Sequence, residues 1–341
     1  MNVIKPHITL KDIAQNLGLS ASTVSRALRN NPAIKAETIE VVKKEAAKLE
    51  YFPDGVARSL QNKSSKTIGV IVPEIRHDFF SSAIDGIEDR AYQAGYTIIV
   101  CKSNENYDRE VLNSQSLVSH RVAGIIASVA QSTKDGQHFM AIKRHGIPVV
   151  LFDRIIEGIG VSRVIVDDYV GAYKATKHLM EVGFKRIAHL AGPQNLKISR
   201  ERLRGYRAAL EESGIAYSEE LVVQVELDEE HGALGMLELL KLEKRPDAIV
   251  AVNDPVAVGA HREIRSQGFR IPQDIGITGF SNNPITEMIE PQLTTVDQHG
   301  YKMGQEAADM LLKEISSDQH MTKSETRVVE TELIIRSSSQ R

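Results

Sequence analysis

TLKDIAQNLGLSASTVSRALRN, residues 9–30, is the stretch on which the reading of this chain turns. Leu10, Ile13, Ala14 and Leu17 recur at i, i+3, i+4 and i+7, which places them on one face of a helix. Gly18 ends that helix, at a position where a residue free to adopt positive φ is useful. Ser20 can cap a second helix through its hydroxyl. In that helix Val24, Ala27 and Leu28 point one way, while Ser22, Ser25, Arg26 and Arg29 point the other. Ile39, Val42, Ala46 and Leu49 outline the buried face of a third helix, which Tyr51-Phe52-Pro53 should end, because a residue before proline avoids the α region. Three short helices with a glycine turn between the first two make a helix-turn-helix, expected over residues 1–53.

A small, polar helix face carrying an arginine suits insertion into the major groove of double-stranded DNA. Serine and threonine hydroxyls bond base edges or phosphates, and arginine pairs bidentately with guanine. Thr9, Ser20, Ala21, Thr23 and Asn30 border the outward residues and are counted with them as the expected contact surface. The competing reading of Ser22, Ser25 and Arg26 is a merely solvated helix face. Charge distribution weighs against it. The 341 residues hold 42 Lys/Arg against 45 Asp/Glu, yet residues 1–66 carry 11 basic and 6 acidic side chains and the other 275 carry 31 and 39. A basic head precedes an acidic body.

Other classes fall away on composition. With 42% apolar and 26% charged residues the chain reads as folded, and its length suggests two or three domains. A single cysteine, Cys101, excludes an intrachain disulfide framework and any multi-cysteine metal site, and is expected to be buried and inert. No apolar run at the start resembles a signal peptide, and none approaches the roughly 18 residues that span a membrane, so a cytoplasmic protein without membrane contact is expected. There is no GxxxxGK[ST] loop and no HExxH, and GFSNN (279–283) lacks the second glycine of a nucleophile elbow. Eleven histidines show no pair at metal-ligand spacing. No catalytic residue, no cofactor and no metal is expected.

After Lys66 the pattern changes to strands alternating with helices. TIGVIVP (67–73) is followed by a helix from about Phe79 to Gly95, and YTIIVCKS, AGIIAS, PVVLFD and RVIVD read as further strands. A second series alternates helices at 170–182, 199–213, 231–242 and 254–267 with the strands RIAHLAG, LVVQVEL, AIVAVN and IGITGF. The chain crosses back near LTTVDQ (293–298), forms a helix at 300–315 and ends in a strand near VVETELIIR. This predicts two doubly wound α/β lobes with mainly parallel sheets, the first over about 67–165 plus 295–325 and the second over about 166–292 plus 326–341. Ligands in such folds bind in a cleft at the carboxyl ends of the strands. His77 and Phe79 lie just past the first strand, where an aromatic face can stack on a sugar or purine ring, whereas Phe80 reads as packing. Asp153 follows PVVLF, with a surface pairing to Arg154 as its alternative. Asn253 and Asp254 end AIVAV and can bond ligand hydroxyls, although Asp254 could instead cap the next helix.

The segments TLKDIAQNLGLSASTVSRALRN, NPAIKAETIEVV and LEYFPDGVARSL resemble the head of the lactose-repressor (LacI/GalR) family of bacterial transcription regulators. SRERLRGYRAAL, AVNDPVAVGA and IGITGFSNNP followed by PQLTTV resemble its periplasmic-binding-protein-like body, from residue 67 to about 336. The resemblance implies base readout by Ala21, Ser22 and Arg26, with only a methyl group available from Ala21. It implies that residues 54–66 are a hinge and linker whose short helix, containing Ala57 and Leu60, folds when two copies meet on DNA and drives Leu60 into the minor groove. It places Arg202, three residues before Gly205, and Gln298 in the effector cleft. At Ser281 most relatives carry an acid or amide, so a short uncharged contact is implied there. The function implied is that of a homodimeric repressor of operator DNA, controlled by a sugar-like or nucleoside-like effector. A solute-binding protein or a sugar- or nucleotide-processing enzyme on the same fold is the alternative; the first would need an export signal and no basic head.

Overall fold

The structure is a computed structural model that describes residues 8–51, 65–317 and 324–341. The expected hinge, with Ala57 and Leu60, lies outside the described residues, apart from 65 and 66 at its end. The chain divides into two compact units, Met1–Ser65 and Lys66–Arg341.

In the first unit α1 (Leu10–Leu17), α2 (Ala21–Leu28) and α3 (Ala36–Lys48) close on a core of Ile13, Ala14, Val24, Ala27, Val42 and Ala46. Gly18 takes φ 65°, the left-handed conformation that its missing Cβ permits, and turns the chain from α1 into α2. Proline does not end α3. The helix stops at Lys48, Glu50 turns left-handed at φ 52°, and the Tyr51 amide donates to the Ala46 carbonyl at 2.9 Å. The termination is therefore backbone capping inside the head.

The second unit carries two sheets. The first runs in the order β11 (Thr326–Val329), β5 (Ser162–Val166), β4 (Val149–Phe152), β3 (Gly124–Ala127), β1 (Thr67–Val72), β2 (Thr97–Lys102), parallel throughout. The second runs β12 (Glu332–Ile334), β10 (Thr294–Asp297), β9 (Gly276–Ser281), β8 (Ala248–Ala251), β6 (Ile187–Ala191), β7 (Val222–Gln224), parallel except where β12 meets β10. Continuous apolar strands such as IGVIV reflect burial on both faces. In lobe 1, α4 (Asp78–Gln93) and α12 (Gly300–Ser316) cover one face, and α5 (Tyr107–Ser119) and α6 (Gln137–Arg144) the other. In lobe 2 the faces are covered by α7 (Asp168–Glu181) with α8 (Lys197–Glu212), and by α9 (Glu229–Leu240) with α10 (Asp254–Ser266). The short α11 (Ile285–Met288) follows β9.

The expected lobe boundaries need correction at two places. Residues 294–297 form β10 and belong to lobe 2, so the return crossing comes after them. VVETELIIR is not one strand: β11 pairs parallel with β5 in lobe 1, and two residues later β12 pairs antiparallel with β10 in lobe 2. A run of β-branched residues shows strand preference but not which sheet it joins. The chain thus crosses three times, between β5 and α7, between β10 and α12, and between β11 and β12.

Backbone contact between α4 and α12 fixes the helix that follows the second crossing. A Cβ on Gly304 would stand 2.0 Å from the Ala83 carbonyl oxygen, and one on Gly86 would stand 2.1 Å from that of Tyr301. Gly304→Ala should therefore lower stability by about 1–3 kcal/mol through forced separation of the helices, despite alanine's better helix propensity. Urea denaturation measures this, and an unchanged midpoint would show that the two helices part freely.

Candidate nucleic-acid interface and interlobe cleft

Burial of Val24 and Ala27 turns the opposite side of α2 outward. Ser20 caps the helix, its Oγ accepting from the Thr23 amide at 3.1 Å and lying 2.8 Å from Thr23 Oγ1 and 2.9 Å from Ser22 Oγ. Thr9 likewise anchors α1, its amide and hydroxyl both donating to Asp12 Oδ2 at 2.7 Å, and holds the Asp12 carboxyl below its usual range. Arg29 is turned back on its own helix, Nη2 donating to Ser25 Oγ at 2.7 Å and Nε to the Ser25 carbonyl at 3.1 Å. Ala21 is half-buried and packs on the head's core. Asn30, exposed and left-handed at φ 52°, ends the face. The exposed Arg26 guanidinium makes no hydrogen bond or ion pair among the described residues. Ser22 and Arg26 are exposed on this face, and Thr9, Ser20, Thr23, Ser25 and Arg29 around them are held by the hydrogen bonds just given.

In the second unit His77, Phe79, Asp153, Arg202, Asn253, Ser281 and Gln298 all line one cleft between the lobes, with Phe80, Arg154, Ile198, Leu227, Pro255 and Asn283. Lobe 1 contributes the loop after β1, the start of α4 and the loop after β4. Lobe 2 contributes α8, the loops after β7, β8 and β9, and the crossing after β10 adds Gln298. Arg202, 3% exposed, donates through Nε to Asp168 Oδ1 at 2.8 Å and through Nη1 to the Val252 carbonyl at 2.6 Å, and its guanidinium lies 3.7 Å from the Phe280 ring centroid. Nη2 is 2.7 Å from the same Asp168 oxygen but out of line for a hydrogen bond. Burial pushes the Asp168 carboxyl up to about 6, with Arg202 opposing the shift. Asp153, in a left-handed backbone at φ 57°, accepts from Gln298 Nε2 at 3.3 Å, and burial raises its pKa as well. Ser281 Oγ donates to Gln298 Oε1 at 2.8 Å. Ser281, Gln298 and Asp153 thus form one chain of hydrogen bonds from lobe 2 to lobe 1.

Three expectations change. Arg154 is buried rather than paired on the surface with Asp153; its Nη1 donates to Glu105 Oε1 and Oε2 at 2.8 and 2.9 Å. Asn253, not Asp254, caps α10, its Oδ1 accepting from the Val256 amide at 2.9 Å while Nδ2 donates to the Leu227 carbonyl. Asp254 is fully buried behind the cleft wall, where its carboxylate accepts from the Asn283 amide at 2.7 Å and from Thr295 Oγ1 at 2.6 Å. Burial pushes its pKa up to about 6. Of the lining residues not foreseen, Leu227 and Asn283 follow strand ends, Pro255 lies in the first turn of α10, and Ile198 lies one turn before Arg202 on α8. The strand-end rule, applied to every strand, would have found the first two. The cleft is narrow, with a cavity volume of about 40 Å³. Gln131 of lobe 1 ties its rim to lobe 2, Nε2 donating to Glu226 Oε2 at 2.6 Å and its carbonyl accepting from Asn195. Among the described residues no cluster of potential metal ligands occurs.

Residues 9–54 match the family described as bacterial regulatory proteins, lacI family, and residues 65–336 match that described as periplasmic binding proteins and sugar binding domain of LacI family. The HTH-type transcriptional repressor PurR of Vibrio atlanticus (strain LGP32) is 33% identical over 313 residues, 92% of this chain and 93% of that protein. The structure of the lac repressor dimer bound to operator and the anti-inducer ONPF is similar at TM-score 0.87 and 26% identity, over 98% of this chain and 99% of that one. The complex of the transcriptional regulator CelR with cellobiose is similar at TM-score 0.74 and 28% identity, over 97% and 99%.

Asp254 generates a pH prediction. A carboxyl whose pKa rises from 3.8 unfolded to about 6 folded stabilises the fold below pH 4, and that contribution is lost as pH rises towards 6. Asp254→Asn keeps the shape and cannot ionise. The stability difference between variant and parent should move in the variant's favour from pH 4 to pH 6, read by urea denaturation across that range. A difference independent of pH would refute the shift.

Proposed function

The chain belongs to the LacI family of bacterial regulatory proteins, and from that premise we propose a transcriptional repressor whose hold on operator DNA is set by a small molecule bound between its lobes. The observation that carries this reading is the presence, on one chain, of a helix-turn-helix presenting Arg26 and of a cleft on which both lobes converge. The relatives it matches are repressors and regulators rather than enzymes. One head spans about half a near-palindromic site, so the working form is a homodimer, as in the operator-bound lac repressor dimer. Such a protein acts in the cytoplasm, and among the described residues no helix is long and apolar enough to cross a membrane.

The control mechanism follows from the narrow cleft. Ligand sites usually enclose roughly 300–1,000 Å³, so a sugar or nucleoside gains admission only when the lobes part and the Gln131–Glu226 and Gln298–Asp153 bonds yield or rearrange. The effector then selects a lobe angle, and that angle shifts the DNA-competent population. Residues 54–66, with Ala57 and Leu60, would carry this shift as a hinge helix too short to persist alone. Arg202 is the central effector contact in this proposal, with His77, Phe79, Asp153, Ser281 and Gln298 around it.

Two experiments test the two halves. Arg26→Ala should weaken operator binding by about 1–3 kcal/mol and relax specificity at one base pair, as measured by gel shift against operator and random duplexes. Equal losses on both would mean that Arg26 meets only phosphate. Arg202→Ala alone would leave Asp168 buried and unpaired, so Arg202→Gln is combined with Asp168→Asn. This double variant should bind operator like the parent but show no response to the metabolite, in whichever direction the parent responds. Unchanged affinity for the metabolite by calorimetry would remove Arg202 from the site.

A further inference from the structure

Four successive residues of the loop after β3 are held by residues 105–110, where the chain enters α5. The Ala130 amide donates to Glu110 Oε2 at 2.6 Å, and Thr133 Oγ1 donates to Glu110 Oε1 at 2.9 Å. The Gln131 amide donates to Glu105 Oε2 at 2.7 Å, and Ser132 Oγ donates to the Glu105 carbonyl at 2.9 Å. This anchored loop is the one that closes the cleft, since Gln131 bonds Glu226 through its side chain and Asn195 through its carbonyl, both in lobe 2.

Glu105 has a second partner. The carboxylate that holds the Gln131 amide also accepts from Arg154 Nη1, at 2.8 Å to Oε1 and 2.9 Å to Oε2. Arg154 lines the cleft, and its buried Nε has no hydrogen-bond partner. Among the described residues the hydrogen bonds and ion pairs of Arg154 all stay within lobe 1. Anchorage of the loop alone does not call for a guanidinium, since Glu110 holds Ala130 and Thr133 without one. The backbone is also bent to this purpose: Asn104 and Glu105 are both left-handed, at φ 53° and 57°. A glutamate rarely adopts that conformation, and it persists only where the surrounding bonds hold it. Here those bonds run to Arg154, Gln131 and Ser132.

We propose that Glu105 is a positioning residue that couples the cleft wall to the bond closing the cleft. A group that engages Arg154 Nε from the cleft shifts the guanidinium against Glu105, and the shared carboxylate carries the change to Gln131 and so to lobe 2. The inference rests on the reading of this cleft as the effector site, but its test uses no effector. Failure of the coupling therefore stays separate from failure of that reading, which the Arg202→Gln/Asp168→Asn pair tests.

The experiment reads parting of the lobes in the full-length, ligand-free protein. Cys101→Ser removes the native thiol, and Ile198→Cys places one in the cleft wall at a position only 6% exposed, which iodoacetamide reaches when the lobes part. In that background Glu105→Gln, Arg154→Gln and Glu226→Ala should each raise the alkylation rate roughly fivefold, the effect of losing one modest bond. Arg154 and Glu226 lie in different lobes and share no bond among the described residues. Their double variant should nevertheless react at about the rate of either single variant, instead of roughly twenty-five times faster than the parent. Adding Arg154→Gln to Glu105→Gln should likewise change nothing. Multiplied rates in the Arg154–Glu226 double variant, a parental rate in Glu105→Gln, or an undiminished effect of Arg154→Gln in the absence of Glu105 would each overturn the proposal. Arg154→Lys, which lacks the planar fork, and Glu105→Asp, too short to span both partners, replace any variant that a circular-dichroism melt shows to be unfolded, under the same expectations.

Discussion

The buried guanidinium of Arg202 is the constraint on which lobe 2 of the body depends. It joins α7 through Asp168, β8 through the Val252 carbonyl and β9 through the face of Phe280, while one edge remains toward the cleft. A charge this deep is tolerable only because it is paired and hydrogen-bonded on nearly every side. The same carboxylate that steadies it is itself strained by burial, which is why Asp168 holds its proton more readily than an exposed aspartate does. In the proposed function Arg202 serves both structural pairing and ligand recognition, so its charge cannot be removed alone without leaving Asp168 buried and unpaired.

Behind the same lobe 2 wall Asp254 plays a comparable part at one remove. It touches no ligand-facing space, yet it clamps the Asn283 amide and the Thr295 hydroxyl, and so sets the loop after β9 against β10. Across the mouth, the run from Ser281 through Gln298 to Asp153 links the two lobes by side chains alone. Such bonds are individually modest, on the order of 1 kcal/mol each. In the proposed function a ligand that replaces them therefore moves the lobes at little net cost.

The cleft was partly legible because parallel α/β sheets deliver their loops to one end. That rule, together with the family resemblance, reached His77, Phe79, Asp153, Arg202, Asn253, Ser281 and Gln298, all of which line it. It failed for Asp254, since adjacent residues at a helix start point to different sides and the sequence does not say which faces the ligand. The same rule reaches Asn283, which follows β9, but no local pattern reports that its carboxamide oxygen lacks a partner. The DNA-facing side of the head was legible because three helices this short have one way to bury Ile13, Val24 and Val42 together. That Arg29 turns back on Ser25 while Arg26 does not was beyond the pattern.

By itself the sequence determined the helix-turn-helix, the alternation of strands and helices, and the basic and acidic halves. These follow from spacing, turn chemistry and charge, which act over a few residues. Only the tertiary structure decided where the chain crosses between lobes. VVETELIIR reads as one strand because each half has the same local preference, but its first half pairs with β5 and its second with β10. Strand partners are chosen by hydrogen bonds to residues more than a hundred and sixty positions away in one case and some forty in the other. The preference is local and the pairing is not, so the pairing could be read only from the folded chain.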